Sequence, residues 1–114
     1  MLKVNVFLTR KPGTTLEQFS AYWKEIHGPL LMQQPEVIEN TRRYIQLHST
    51  DNGLPGVPVA PYDGIAEIWV DGLDGVAAIF TSNNYHNIIA PDEANFVDRE
   101  KTIIMYGTET VVIE

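Results

Sequence analysis

Apolar and polar positions alternate from Leu2 to Leu8, with Leu2, Val4, Val6 and Leu8 on one side and Asn5 and Phe7 on the other. This two-residue period predicts a β-strand. The turn Arg10-Lys11-Pro12-Gly13 ends it, and Thr14 or Thr15, with Glu17 or Gln18 three residues on, predicts a capped helix start. Leu16, Phe19, Trp23 and Ile26 recur at spacings of three and four and give that helix an apolar stripe. Gly28-Pro29 is expected to stop it, with His27 in its last turn. After a loose stretch through Pro35, residues 42–48 alternate again, with Tyr44, Gln46 and His48 sharing a face, and predict a second strand. Residues 49–61 hold two glycines and three prolines and read as a long loop, of the length that forms lids. Residues 62–70 predict a third strand, with Asp63, Ile65, Glu67 and Trp69 on one side. Leu73, Val76, Ile79 and Phe80 have helical spacing, and Ser82 is placed to cap a continuation through Tyr85, Ile88 and Ile89. Pro91-Asp92-Glu93 starts one more turn carrying Phe96, and residues 103–113 predict a last strand kinked or bulged at Gly107. No repeat is visible at the level of residues.

The order β-α-β-β-α-β is that of the ferredoxin-like α+β fold, in which two helical segments cover one face of a four-stranded antiparallel sheet. The other face would show rows of aliphatic side chains to water, and apolar surface of that size usually marks an interface. A second copy can cover it by symmetric pairing, so the expected assembly is a homodimer.

With 114 residues the chain is one domain, spanning 1–114. No apolar run approaches the roughly 20 residues of a membrane span. No basic start leads into an apolar leader, so a soluble, cytoplasmic protein without membrane partners is expected. The absence of cysteine removes thiolate chemistry and disulfides. The net charge of −7 is lopsided: residues 1–50 carry six basic and four acidic side chains, and residues 51–114 carry two and eleven. An acidic half repels phosphate backbones, so nucleic acid is not an expected partner. Histidines at 27, 48 and 86 lack the spacing of a metal site, and no glycine-rich phosphate loop is present. The expectation is therefore no metal and no nucleotide cofactor.

The segment Tyr22-Trp23-Lys24-Glu25-Ile26-His27-Gly28-Pro29-Leu30 resembles the YW-x-x-x-HGPL signature of EthD-type proteins. The strand Tyr62-Asp63-Gly64-Ile65-Ala66-Glu67-Ile68-Trp69 resembles that family's second recurring element, and the likeness runs from Leu2 to Ile113. The resemblance implies a dimeric α+β barrel and kinship to polyketide cyclases, dehydratases, lactone isomerases and cofactorless or haem-using monooxygenases. It also implies a broad oxidoreductase label, without fixing one reaction.

His27, at a predicted helix C-terminus, would have its charged form favoured by the helix dipole, which suits a general acid. The alternative is that it only bonds the last helical carbonyls. Glu67, between Ile65 and Trp69, is either a desolvated acid/base group or a partner of Arg42 or Arg43 across strands. With all of them turned toward the helices, Asn5, Phe7, Tyr44, Gln46, His48, Glu67 and Trp69 would line an aromatic pocket for a small hydrophobic molecule, joined by Trp23 and His86. The expected activity is cofactor-independent acid/base chemistry on a hydrophobic aromatic or polyketide-like carbonyl compound: cyclisation, dehydration or isomerisation. His27 and Glu67 are the candidate catalytic residues. An oxidoreductase of the same fold, cofactorless or with a haem ligated by histidine, and a non-catalytic binder of small ligands are the alternatives.

Overall fold

The computed structural model describes residues 1–50 and 52–114. It contains four strands: β1 (Leu2–Leu8), β2 (Arg43–His48), β3 (Gly64–Val70) and β4 (Ile103–Gly107). They form one antiparallel sheet in the order β2-β3-β1-β4, the ferredoxin-like arrangement expected from the element order. β4 is shorter than expected and ends at Gly107. The chain then leaves the sheet, and Glu109 turns back to accept a hydrogen bond from the Trp69 indole.

The first helix, α1 (Leu16–Tyr22), starts on a capping box, with Thr15 Oγ1 accepting from the Gln18 amide and Gln18 Oε1 accepting from the Thr15 amide. Gly28-Pro29 does not stop the helical path. A single wide turn, Trp23–His27, widens the helix so that the Gly28 N–H reaches the Trp23 carbonyl, and α2 (Gly28–Leu31) continues with Pro29 in its first turn. Proline fits there because a first-turn residue has no helical acceptor for an N–H. A further short helix, α3 (Pro35–Asn40), lies in the stretch expected to be loose.

The second half repeats this arrangement. α4 (Leu73–Phe80) gives way to a break at which Ser82 Oγ accepts from the Tyr85 amide. A second wide turn, Tyr85–Ile89, follows, and α5 (Ala90–Glu93) carries Pro91 in its first turn. Trp23, Ile26, His27, Gly28 and Pro29 thus correspond to Tyr85, Ile88, Ile89, Ala90 and Pro91, a structural repeat too degenerate to read from residues alone. A short turn, Arg99–Lys101, leads into β4. No helix is long and apolar enough to cross a membrane among the described residues.

All helices pack on one face of the sheet. Two apolar clusters meet there: Val4, Val37, Ile68, Val70, Val76, Ile79 and Ile89, and Leu8, Phe19, Trp23, Ala66, Phe96 and Val97. Gly64 is required by this packing, because a Cβ on it would lie 2.5 Å from the Trp23 ring.

Candidate active site

The strand registers decide which side chains can meet. Asn5 lies opposite Glu67, Phe7 opposite Ile65 and Lys3 opposite Trp69, so all six project from the face without helices. Tyr44 lies opposite Ile68 and Gln46 opposite Ala66, on the helix side with His48. The single pocket expected from Asn5, Phe7, Tyr44, Gln46, His48, Glu67 and Trp69 is therefore divided between two faces. Residue 67 has the parity of Ile65 and Trp69, and β3 turns its small and aliphatic residues Gly64, Ala66, Ile68 and Val70 toward the helices.

On the open face Glu67 is in an ion pair, with the Lys3 ammonium 2.6 Å from its Oε1. That partner is on the neighbouring strand β1, not Arg42 or Arg43. Arg42 instead pairs with Asp71, and Arg43 and Lys3 lie over the Trp69 ring. Within the chain Glu67 cannot act with His27, because the sheet lies between them. Trp69 is 7% exposed and is a scaffold for this charged cluster.

The cavity lies on the helix side, where the two apolar clusters meet. Its floor is Val6, Leu8, Tyr44, Ala66 and Ile68 from the sheet. Trp23, His27, Ile89, Glu93 and Phe96 are among its walls. Its volume is about 60 Å³. An apolar cavity of ~150 Å³ holds benzene, so this smaller one admits a one-ring molecule only where its walls give. A haem does not fit such a space unless the helices part. Among the described residues, no three ligating side chains converge as a metal site would need. None of the described loop residues 49–61 lines this cavity; Val59 and Ala60 lie instead beside Leu47 and Ile65.

His27 is 5% exposed and stands in the wide turn, not at a helix end. Its Nδ1 is 2.8 Å from Asp92 Oδ2. Asp92 Oδ1 accepts from the Tyr22 hydroxyl at 2.6 Å and from Asn95 at 3.3 Å. Burial acts to raise the Asp92 pKa, but the hydrogen bonds from Tyr22 and His27 outweigh it and hold Asp92 below the usual range. Asp92 is therefore the acceptor, the proton sits on His27 Nδ1, and Nε2 is the unprotonated nitrogen of a ring that lines the cavity. Burial lowers the His27 pKa, and the opposing pull of Asp92 does not fully offset it. This reverses the expected direction, because the helix does not end at His27 and no carbonyl terminus is there to favour the cation. A mostly neutral imidazole at neutral pH is a base, not an acid.

Gln46 supports the wide turn from the sheet. Its amide nitrogen donates to the Trp23 carbonyl and to the Tyr44 hydroxyl, both at 3.1 Å. A carbonyl can only accept, so the amide orientation is fixed and Gln46 Oε1 must accept from His48 Nε2 at 2.9 Å. The ring of His48 lies against Trp23, with centroids 4.6 Å apart. Gln46 and His48 thus stand behind the cavity wall and position it, while Trp23 and Tyr44 line it. Gly28 leaves room for this support, since a Cβ there would come within 2.9 Å of the Gln46 amide. His86 is exposed and lies outside the cavity.

Four polar residues were not singled out as site residues from sequence: Asp92, Glu93, Tyr85 and Thr41. The dipeptide Asp92-Glu93 had looked like a helix start, a role that acidic residues often fill. Glu93 lines the cavity, and burial, with Asp92 adding to it, raises its pKa despite a hydrogen bond from Tyr85 and the charge of Arg99. Tyr85, chiefly through its own burial, is pushed up to about 12. Thr41 Oγ1 is buried at the cavity wall with no hydrogen-bond partner among the described residues.

Solved structures share this architecture. An ethyl tert-butyl ether D (EthD) family protein of Bacillus halodurans superposes with a TM-score of 0.69 at 16% identity, over 96% of this chain and 100% of that one. A dimeric ferredoxin-like protein of unknown function from Thermobifida fusca gives 0.61 at 16% identity, over 95% and 90%. A putative antibiotic biosynthesis monooxygenase from Nitrosomonas europaea gives 0.61 at 15%, over 97% and 100%. No curated protein matches the sequence. The EthD domain matches residues 11–100, most of the chain and all of the helical cavity wall, and the chain belongs to the EthD family.

Proposed function

We propose that the protein is a cofactor-independent acid/base enzyme that takes a proton from carbon next to a carbonyl group in a small, hydrophobic, aromatic or polyketide-like molecule. The observation that carries this reading is the buried imidazole of His27, held by Asp92 at 2.8 Å and lining a cavity whose walls are mostly apolar. A base of this kind is unprotonated and so available at neutral pH, and its geometry is set in advance. Burial raises the Tyr44 pKa, so its hydroxyl stays protonated and can donate to a substrate oxygen. Thr41 Oγ1 supports the same reading: leaving a buried hydroxyl unpaired costs about 1–3 kcal/mol, which a polar ligand atom would remove.

The working form in this proposal is a homodimer. On the open face Leu47, Ile103 and Met105 are all at least half exposed, beside Phe7, Ile45 and Ile65. Covering them removes apolar area worth about 25 cal/mol per Å² before association costs. The fold neighbour from Thermobifida fusca is described as dimeric. Light scattering should return twice 12.8 kDa at micromolar concentration.

Acetophenone, a small one-ring ketone, provides the test. The purified protein should speed exchange of its methyl protons in deuterated water, and His27→Gln should abolish the effect. Unchanged exchange in His27→Gln would end the proposal. An oxidative reading also has support, in the fold neighbour described as a putative monooxygenase. It predicts oxygen consumption with an electron-rich phenol, which the acid/base reading does not.

A further inference from the structure

α5 carries two consecutive carboxylates that point to different walls. Successive helical positions are about 100° apart, so Asp92 reaches His27 and Tyr22 while Glu93 reaches Tyr85. The Tyr85 hydroxyl donates to Glu93 Oε1 at 3.0 Å, and Arg99 Nε stands 3.5 Å from the same oxygen. Both contacts fall on Oε1, and Oε2 has no protein partner among the described residues. Glu93 and Tyr85 line the same cavity as His27. The Glu93 side chain is 22% exposed and Arg99 is 51% exposed, so the carboxyl has the cavity on one side and water within reach on the other. Nothing in the His27–Asp92 pair accounts for a second carboxyl in so apolar a space, where an isolated charge is costly.

We propose that Glu93 is a second catalytic group of this cavity, giving a proton from Oε2 to the carbonyl oxygen of the bound molecule while His27 takes the proton from carbon, with Tyr85 as the positioning residue. The proposal rests on the reading of His27 as the base. The step balances. The α C–H bond breaks and its proton goes to His27 Nε2; a C=C bond forms as the carbonyl π bond opens; the oxygen gains the Glu93 proton and the product is the enol. Water on the Arg99 side returns a proton to Glu93, and the imidazolium gives one up. The groups that set Glu93's protonation are Asp92 beside it, which favours the neutral acid, and Tyr85 and Arg99, which favour the carboxylate. Burial is the largest influence and leaves the acid form favoured beyond the ordinary glutamate range. The partners this second group selects are carbonyl compounds that can turn the carbonyl oxygen toward Glu93 and the neighbouring α C–H toward His27, since the two side chains reach the cavity from different elements.

Two measurements on the full-length protein decide the matter. The first is a carboxyl 13C NMR titration of Glu93 without ligand. It should titrate above an ordinary glutamate, and Tyr85→Phe should move it further up, because the lost hydrogen bond favours the charged form. Titration at or below the ordinary value overturns the proposal. The second is acetophenone methyl exchange in Glu93→Gln, which keeps the shape and the Tyr85 contact but has no proton to give. It should lose about a hundredfold or more, the range of a general acid. If His27→Gln abolishes exchange while Glu93→Gln matches the wild type, Glu93 is not an acid and the His27 reading stands. If exchange is lost in Glu93→Gln but kept in His27→Gln, the base is misassigned and Glu93 survives. If the wild-type protein exchanges nothing, the proposed function fails for this ketone and the NMR titration alone decides Glu93.

Discussion

The two faces of the sheet treat ionisable side chains in opposite ways. On the open face Glu67 meets Lys3 at 2.6 Å, both side chains are 18% exposed, and Lys3 also approaches Glu109. Opposite charges at diagonal positions of neighbouring strands neutralise one another, and the result is scaffold. On the helix face the strands contribute few polar groups, and His27, Asp92, Glu93 and Tyr85 all arrive from the helical layer. Two wide turns make this possible by opening each helix where it crosses the apolar floor. A strand carboxylate is easily paired by its cross-strand neighbour, whereas a helix-borne imidazole above an aliphatic floor has few partners and keeps its reactivity.

The largest expected effect of breaking this contrast comes from the cavity wall. Trp23→Ala should cost about 3–5 kcal/mol in urea unfolding, because Trp23 is 1% exposed and fills the space between α1 and β3. Asp92→Asn should cost about 1–3 kcal/mol, since Tyr22 and His27 lose a charged acceptor. It should also lower the His27 pKa further, because Asp92 is what holds it up. A smaller effect concerns pH. The folded His27 pKa lies below its unfolded value near 6.5, so the stability tied to its neutral form is present above pH 6.5. That stability is lost as pH falls through the folded value. Unfolding curves from pH 7.5 downward should show this loss, and His27→Gln should remove it. The smallest effect belongs to the open face. Glu67→Gln should cost about 1 kcal/mol or less, because Lys3 keeps Glu109 and the Trp69 ring. It should leave acetophenone exchange unchanged; a large loss there would mean that Glu67 reaches a cavity after all.

Much of the fold was legible because its signals are local. The alternation of Leu2–Leu8, the Thr15–Gln18 capping box and the helical spacing of Leu73–Phe80 each depend on neighbours a few residues away. What was misread depends on distant partners. The face on which Glu67 stands follows from the pairing of β3 with β1, and alternation within β3 does not say which parity the helices cover. Gly28-Pro29 looks like a stop until a wide turn removes the need for the missing proline N–H. The helix Pro35–Asn40 is two turns at most and offers little periodicity to detect. Residue 27 could be singled out, but its direction of titration could not, because Asp92 lies 65 positions away. Tyr85 was read only as an apolar position of a helix, and its contact with Glu93 is again tertiary.

The most direct test of the cavity base is the 15N spectrum of the His27 ring, followed over pH in the absence and presence of acetophenone. The expected result is a single neutral tautomer with its proton on Nδ1, titrating below the ordinary histidine value, with an Nε2 signal that moves when the ketone binds. A proton on Nε2, or titration at or above the ordinary value with no response to the ketone, would contradict the assignment of His27 as the base.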